Sequence, residues 1–206
     1  PLPAAAFYAY TQLDIGHRAL RRRLAQVKEL SEGVLPSTGA EEALCRQHPE
    51  EAGLVHYLSS AGGFPVYSRT RSTYYPSGEA FFAAFLQDLK QARRSIFLEY
   101  FIIEEGTMWS QILDVLTRKV DEGVDVRFLY DGTCEFFKVS RDYCNHLKDL
   151  GLQCRVFAPI KPFLSTHYNY RDHRKIAVID SRIAYTGGIN LADEYINATH
   201  PFGRWK

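Results

Sequence analysis

His173-Arg174-Lys175-Ile176-Ala177-Val178-Ile179-Asp180-Ser181-Arg182-Ile183-Ala184-Tyr185-Thr186-Gly187-Gly188-Ile189-Asn190 reads as two short strands, Lys175 to Ile179 and Ile183 to Thr186, joined by the turn Asp180-Ser181-Arg182. Residues two apart in a strand share a face, so His173 and Lys175 present an imidazole and an ammonium side by side. Asp180 has the opposite parity and lies roughly 17 Å further along, which suits it better to fixing the turn or pairing with a cation than to the same small substrate group. If the turn centres on Ser181, Lys175 lies opposite Gly187 and His173 opposite Ile189, which returns Asn190 to the level of His173. Gly187 and Gly188 bring no Cβ, so a ligand can approach the backbone there. An imidazole, a cation, an amide and bare backbone thus converge on one spot, a combination suited to a phosphodiester and its crowded anionic transition state.

Outward from this hairpin, strand and helix patterns alternate. A short strand, Pro65 to Tyr67, precedes a helix, Glu79 to Arg93, that carries Phe81, Phe82, Phe85, Leu86 and Leu89 on one face. Strand Ser95 to Ile103, helix Met108 to Glu122, strand Val124 to Tyr130, helix Ser140 to Leu150 and strand Gln153 to Phe157 follow. Strands separated by helices imply crossovers, and so an α/β sheet with a substantial parallel part, covered on both faces. His146-Leu147-Lys148 repeats the His-x-Lys spacing, but Gln153 stands where the aspartate would be. That segment reads as helix, where residues two apart do not share a face.

The first sixty residues differ. Leu13 to Leu30 reads as a helix bearing Arg18, Arg21, Arg22, Arg23 and Lys28, either a solvated face or an anchor drawn to anionic lipid. Gly33, Pro36 and Gly39 separate it from a helix over Glu41 to Gln47, and Pro49 opens another through Leu58. Ala61-Gly62-Gly63 marks the expected boundary, giving a helical, partly basic region over 1–63 and a catalytic region over 64–206.

The chain has 206 residues, with 25 Lys and Arg against 24 Asp and Glu, a balance that argues against a global nucleic-acid surface. The apolar stretches Ala4 to Tyr10 and Ile96 to Ile103 fall short of the roughly 20 residues of a spanning helix. Cys45, Cys134, Cys144 and Cys154 show no C-x-x-C spacing, so neither a disulfide framework nor a zinc knuckle is expected. Pro1 at the start and Phe202 to Lys206 at the end read as cut edges, so the length is expected to describe a fragment.

His173-x-Lys175-x4-Asp180-x6-Gly187-Gly188-x-Asn190 resembles the signature of the phospholipase D superfamily. The longer string Tyr170-Arg171-Asp172-His173-Arg174-Lys175-Ile176, with Gly187-Gly188-Ile189-Asn190-Leu191-Ala192-Asp193-Glu194-Tyr195-Ile196, is similar to bacterial cardiolipin synthases. Phe97-Leu98-Glu99-Tyr100-Phe101-Ile102-Ile103 and Leu129-Tyr130-Asp131-Gly132 match as well. The resemblance implies a phospholipase D-like mixed sheet flanked by helices on both faces, preceded by a short helical N-terminal region. It implies catalytic His173, Lys175 and Asp180, substrate-binding Asn190, Gly187, Gly188 and Glu99, and no metal or other cofactor. It further implies phosphatidyl transfer from phosphatidylglycerol through a phosphohistidine at the cytoplasmic side of a bacterial membrane, with anionic lipid and a second phospholipase D-like half, in cis or from a homodimer mate, as partners. No nucleic-acid partner is expected. The superfamily usually has serine where Gly188 stands, and it builds its site from two motifs where this chain carries one.

Other residues leave alternatives open. Glu99 either lines the site or finds a structural partner. Asp131 ends a strand at a place where α/β sheets bind ligands, yet Asp131-Gly132 is also an ordinary turn. His167 reads as a loop histidine, and Tyr168, Tyr170 and Trp205 as either interfacial or packing aromatics. The competing functions are a phospholipase D-type phosphodiesterase or nuclease working as a dimer, and a non-catalytic lipid-binding half-domain.

Overall fold

The computed structural model describes residues 39–61, 63–160 and 171–205, together with positions 3–5, 8, 21, 22, 25–27, 29 and 30. The basic helix expected over Leu13 to Leu30 lies mainly outside these residues, although its described positions are helical. Two compact units divide between Thr73 and Tyr74, beyond the Ala61-Gly62-Gly63 stretch. In the first, helices α1 (Ala40–Gln47) and α2 (Ala52–Ser60) are joined by a 3-10 turn at Pro49–Glu51. Ser59 of α2 donates to Glu41 of α1 at 2.9 Å. The strand expected over Pro65 to Tyr67 does not form; 63–67 is irregular, and Pro65 has no N–H to give a ladder.

The second unit is built on five strands, β1 (Ser95–Tyr100), β2 (Asp125–Asp131), β3 (Gln153–Phe157), β4 (Lys175–Ile179) and β5 (Ile183–Thr186). Their spatial order is β3-β2-β1-β4-β5. β1, β2 and β3 run parallel, while β4 is antiparallel to both β1 and β5, so the sheet is mixed. The β4–β5 register pairs Ala177 with Tyr185 and Ile179 with Ile183, as a turn centred on Ser181 requires.

Helix α3 (Gly78–Gln91) starts where Ser77 accepts the Ala80 N–H at 3.3 Å. A Cβ at Gly78 would collide with the Tyr195 carbonyl, so glycine is needed for this close approach. Phe81, Phe85 and Leu89 of α3 are buried, and the Phe85 ring meets Tyr185 of β5 edge-on at 5.2 Å. Helix α4 (Thr107–Asp121) crosses from β1 to β2, and its Trp109 stacks on Phe128 of β2 at 5.1 Å. Two helices lie between β2 and β3: α5 (Cys134–Phe137), too short for periodicity to announce, and α6 (Tyr143–Asp149). Trp109 donates to the Tyr143 hydroxyl, bringing α6 into the same layer as α4.

Strand alternation divides the sheet. Ile96, Leu98, Tyr100, Val126, Phe128, Tyr130, Ala177 and Ile179 face this helical layer and are buried. The other face presents Phe97, Leu129, Ile176 and Val178 half-buried, and Arg127 and Arg155 exposed. The mixed sheet with flanking helices is as expected, and among the described residues α3, α4 and α6 pack against one of its faces. The strand order supplies the reason: β1, β2 and β3 succeed one another in one direction, so right-handed crossovers put α4 and α6 on the same side.

Candidate active site

The carboxyl ends of β1 and β2 and the start of β4 lie at one level, with Tyr100 beside both Tyr130 and Lys175. One residue beyond that row, β1 leaves the ladder. Strand pairing expected to run to Ile103 ends at Tyr100, because the next residues bond instead to 190–191: Leu191 N–H donates to Ile102, and Glu104 N–H to Leu191.

His173 is exposed and stands two residues before the buried Lys175. Its ring lies 4.8 Å from the Phe101 ring, and among the described residues neither ring nitrogen has a hydrogen-bond partner. The Lys175 ammonium sits 5.0 Å from the Phe101 ring centroid and donates to the His173 carbonyl at 2.6 Å. Burial lowers the Lys175 pKa, although the Asp172 charge works the other way. Among the described residues two of its three N–H donors have no acceptor and are open to a ligand. Gly187 and Gly188 are exposed, and a Cβ on either would meet nothing within 4 Å. Space for a ligand is therefore open there.

Asn190 is buried. Its Oδ1 accepts the Ile102 N–H at 3.0 Å, and its Nδ2 donates to the Tyr195 hydroxyl at 2.8 Å. It braces the segment after β1, and among the described residues one amide hydrogen stays uncommitted. Asp180 is not brought to His173. It lies at the other end of β4, where its carboxylate accepts the backbone N–H groups of Arg93, Arg94 and Ser95 at 2.7 to 3.2 Å. These bonds hold its pKa below the ordinary carboxylate range.

Glu99 faces away from Lys175, since it pairs with Ile176. Its partners are Arg174, with Nε 2.8 Å from Oε1, and Asp172. The single Nε–H of Arg174 is directed to Asp172 Oδ1 at 2.9 Å, so the Glu99 contact is an ion contact without a hydrogen bond, and Oε1 keeps no aligned donor. Burial, then the hydrogen bond and charge of Asp172, push the Glu99 pKa up to about 7. Burial works against ionisation of Asp172 too, but hydrogen bonds from Arg174 and Glu99 outweigh it and hold its pKa low. Asp131, fully buried, accepts the Thr133 N–H and hydroxyl at 2.8 Å, Arg171 at 3.3 Å and the Asp172 N–H at 3.2 Å. It is both a turn residue and an anchor for the segment entering His173. Sequence reasoning missed Asp172, Arg174 and Phe101. The only signal was parity, which sets Asp172 and Arg174 on the face opposite Lys175 and beside Glu99.

His167, Tyr168 and Tyr170 lie outside the described residues. Trp205 packs edge-on against Tyr195 at 4.6 Å, and its backbone N–H donates to Asn197 Oδ1. Among the described residues no His, Cys, Asp and Glu group of three or more has the spacing to hold a metal ion, and no helix is long and apolar enough to cross a membrane.

The family model described as "Cardiolipin synthase, PLD-like domain" matches residues 85–200. An uncharacterized protein of Streptococcus mutans serotype c is 45% identical over 100% of this chain and 45% of its own length. Cardiolipin synthase 2 of Bacillus cereus is 35% identical over 99% of this chain and 40% of its own length. The chain thus spans less than half the length of these relatives. A phospholipase D family member, Nuc from Salmonella typhimurium, overlays with a TM-score of 0.43 at 21% identity, over 58% of this chain and 70% of that one.

Proposed function

Because the chain belongs to the cardiolipin synthase family of phospholipase D-like domains, we propose that it supplies one of two catalytic motifs of a phosphatidyltransferase that makes cardiolipin and glycerol from two molecules of phosphatidylglycerol. The observation that carries this reading is the exposed His173 imidazole, without a hydrogen-bond partner among the described residues, beside the buried Lys175 ammonium. In the first step a ring nitrogen of His173, or of its counterpart in a second motif, attacks phosphorus. The P–N bond forms, the P–O bond to glycerol breaks, and the other histidine gives the leaving oxygen its proton. In the second step the 3'-hydroxyl of another phosphatidylglycerol attacks phosphorus, the P–N bond breaks, and that same histidine takes the hydroxyl proton. Splitting one displacement into two is the advantage of a covalent intermediate, and an imidazole exchanges protons readily near neutrality.

Lys175 and the spare amide hydrogen of Asn190 offer donors to the phosphoryl oxygens, and the open surface at Gly187 and Gly188 admits them. Asp180 supports this site from a distance by holding β4 against the start of β1. Residues 64–206 carry the chemistry in this reading, and 1–63 form the lead-in at the cytoplasmic side of the membrane.

The test uses the protein expressed in its complete reading frame and supplied with labelled phosphatidylglycerol. Cardiolipin and glycerol should form in equal amounts, and His173→Ala should abolish both. Product that is phosphatidic acid, from water as acceptor, would replace the transferase with a phospholipase D. Activity lost to a chelator and restored by a divalent ion would overturn the two-histidine mechanism.

A further inference from the structure

We propose that Phe136 and Phe137 of α5, with Arg141, form the surface through which this domain seats its active-site end on an anionic phospholipid bilayer. The proposal rests on the phosphatidyltransferase reading for the choice of partner, and on geometry for its place.

The two rings are neighbours in sequence and both open to water. Phe137 is 79% exposed and Phe136 41%, with ring centroids 6.0 Å apart. A sequence that buries Phe81, Phe85 and Phe128 leaves this adjacent pair outside, and a contiguous exposed apolar patch marks an interaction site. α5 is not a loose tip. Cys134 donates its thiol to the Phe101 carbonyl at 3.1 Å, Tyr130 donates to Glu135 at 2.9 Å, and Lys138 bonds Glu104 at 2.7 Å. The aromatic pair is thus held out from a fixed base.

That base adjoins the candidate active site. Phe101, which receives the Cys134 thiol through its carbonyl, places its ring 4.8 Å from His173. α5 follows the carboxyl end of β2, and Tyr130 there lies level with Tyr100 and Lys175. A lipid substrate reaching His173 has its phosphate at the headgroup level of a bilayer, so the surface beside His173 meets the interface.

The charge suits the same partner. Arg141 stands 5.3 Å from the Phe136 ring centroid and makes no ion pair among the described residues. Lys138 is neutralised by Glu104. A guanidinium over the Phe136 ring, with Phe137 next to it, matches an anionic headgroup region, where rings enter the acyl boundary and cations pair with phosphate.

The test places a tryptophan at this position, Phe137→Trp, in the protein expressed in its complete reading frame and reconstituted into vesicles of phosphatidylcholine and phosphatidylglycerol. Emission added by the new tryptophan should be quenched when the phosphatidylcholine is brominated in its acyl chains. Emission added by Ile183→Trp, at the opposite end of the sheet, should not be. Unquenched emission from the Phe137→Trp variant overturns the proposal and points instead to cover by protein or by solvent. A second arm uses Phe136→Ser with Phe137→Ser. Turnover of phosphatidylglycerol in vesicles should fall by about tenfold or more, while turnover of monomeric dihexanoyl phosphatidylglycerol stays within about twofold, as for an exposed substitution away from the chemistry. Equal loss on both substrates, or on neither, overturns it. The quenching arm needs no turnover, so a protein that inserts but transfers no phosphatidyl group removes the transferase reading and leaves the surface standing.

Discussion

Asp180 and Ser95 are bonded in both directions: the Asp180 carboxylate accepts the Ser95 N–H at 3.0 Å, and the Asp180 N–H donates to the Ser95 carbonyl at 2.8 Å. The same carboxylate takes the Arg93 and Arg94 N–H groups. The last residue of the His-x-Lys-x4-Asp pattern therefore fixes the junction where β1 begins and β4 ends. Its first residue, His173, lies at the other end of β4, with no hydrogen bond to its ring among the described residues.

This arrangement separates the two residues experimentally. Asp180→Ala should destabilise the domain by about 1–3 kcal/mol, the cost of leaving backbone donors without their acceptor, in urea unfolding. His173→Ala should stay within about 0.5 kcal/mol of the parent, as an exposed side chain does. Equal stabilities for the two variants would remove the structural role of Asp180.

Glu99 should give stability a pH dependence of definite sign. Its folded pKa is about 7 against an ordinary 4.5, so between these values the folded form holds a proton that the unfolded form has released. Stability then falls as pH rises from about 4.5 to 7. Asp172, shifted downward from 3.8, acts below this window, and Arg174 stays charged throughout it. Glu99→Gln should flatten the fall by about 1–2 kcal/mol, the linkage being reduced by solvent screening of a side chain that is 25% exposed. Parallel unfolding curves for parent and variant from pH 4.5 to 7 would show that Glu99 carries no raised pKa.

The hairpin register was legible because a turn centred on Ser181 and period-2 alternation determine it locally. The helical cover was not legible in the same way. Whether α4 and α6 share a face depends on β1, β2 and β3 being laid down in one direction, a non-local fact that no single crossover announces. Glu99 shows the same limit in the site. A carboxylate in an apolar strand needs a partner, but its identity follows from β1 pairing with β4, which sets Arg174 diagonally beside it. Asn190 was expected at the level of His173, and its role as a brace became visible only with Ile102 and Tyr195 in place.

Gly106 is required by contact and not by conformation. Its φ of 170° is ordinary extended backbone, but a Cβ there would lie 2.7 Å from Asp193 Oδ2. That carboxylate, at the start of the 3-10 turn Asp193–Ile196, caps α4 from far along the chain, accepting the Thr107 N–H at 2.9 Å and the Met108 N–H at 2.7 Å. Gly106→Ala and Asp193→Ala should each cost about 1 kcal/mol, the usual value of an N-terminal cap. The double variant should cost little more than either, since both remove the same bonds. Additive losses in thermal unfolding would place the Gly106 effect elsewhere.

Lys175 is a buried cation whose only internal acceptor among the described residues is the His173 carbonyl, so substitution separates its charge from its volume. Lys175→Met keeps most of the side-chain length and removes an ammonium that burial disfavours. Losing one hydrogen bond costs about 1 kcal/mol, and sparing the buried charge offsets it, so the variant should remain folded with a midpoint close to the parent's. If Lys175 meets the phosphoryl group, its loss removes charge stabilisation that grows in the transition state, and kcat should fall by about 10²–10³ with KM changing far less. A purely structural lysine would give the opposite pattern, with stability falling and kcat per folded molecule preserved. Measuring both quantities on the protein in its complete reading frame therefore decides whether this buried cation beside His173 acts on substrate or on the fold.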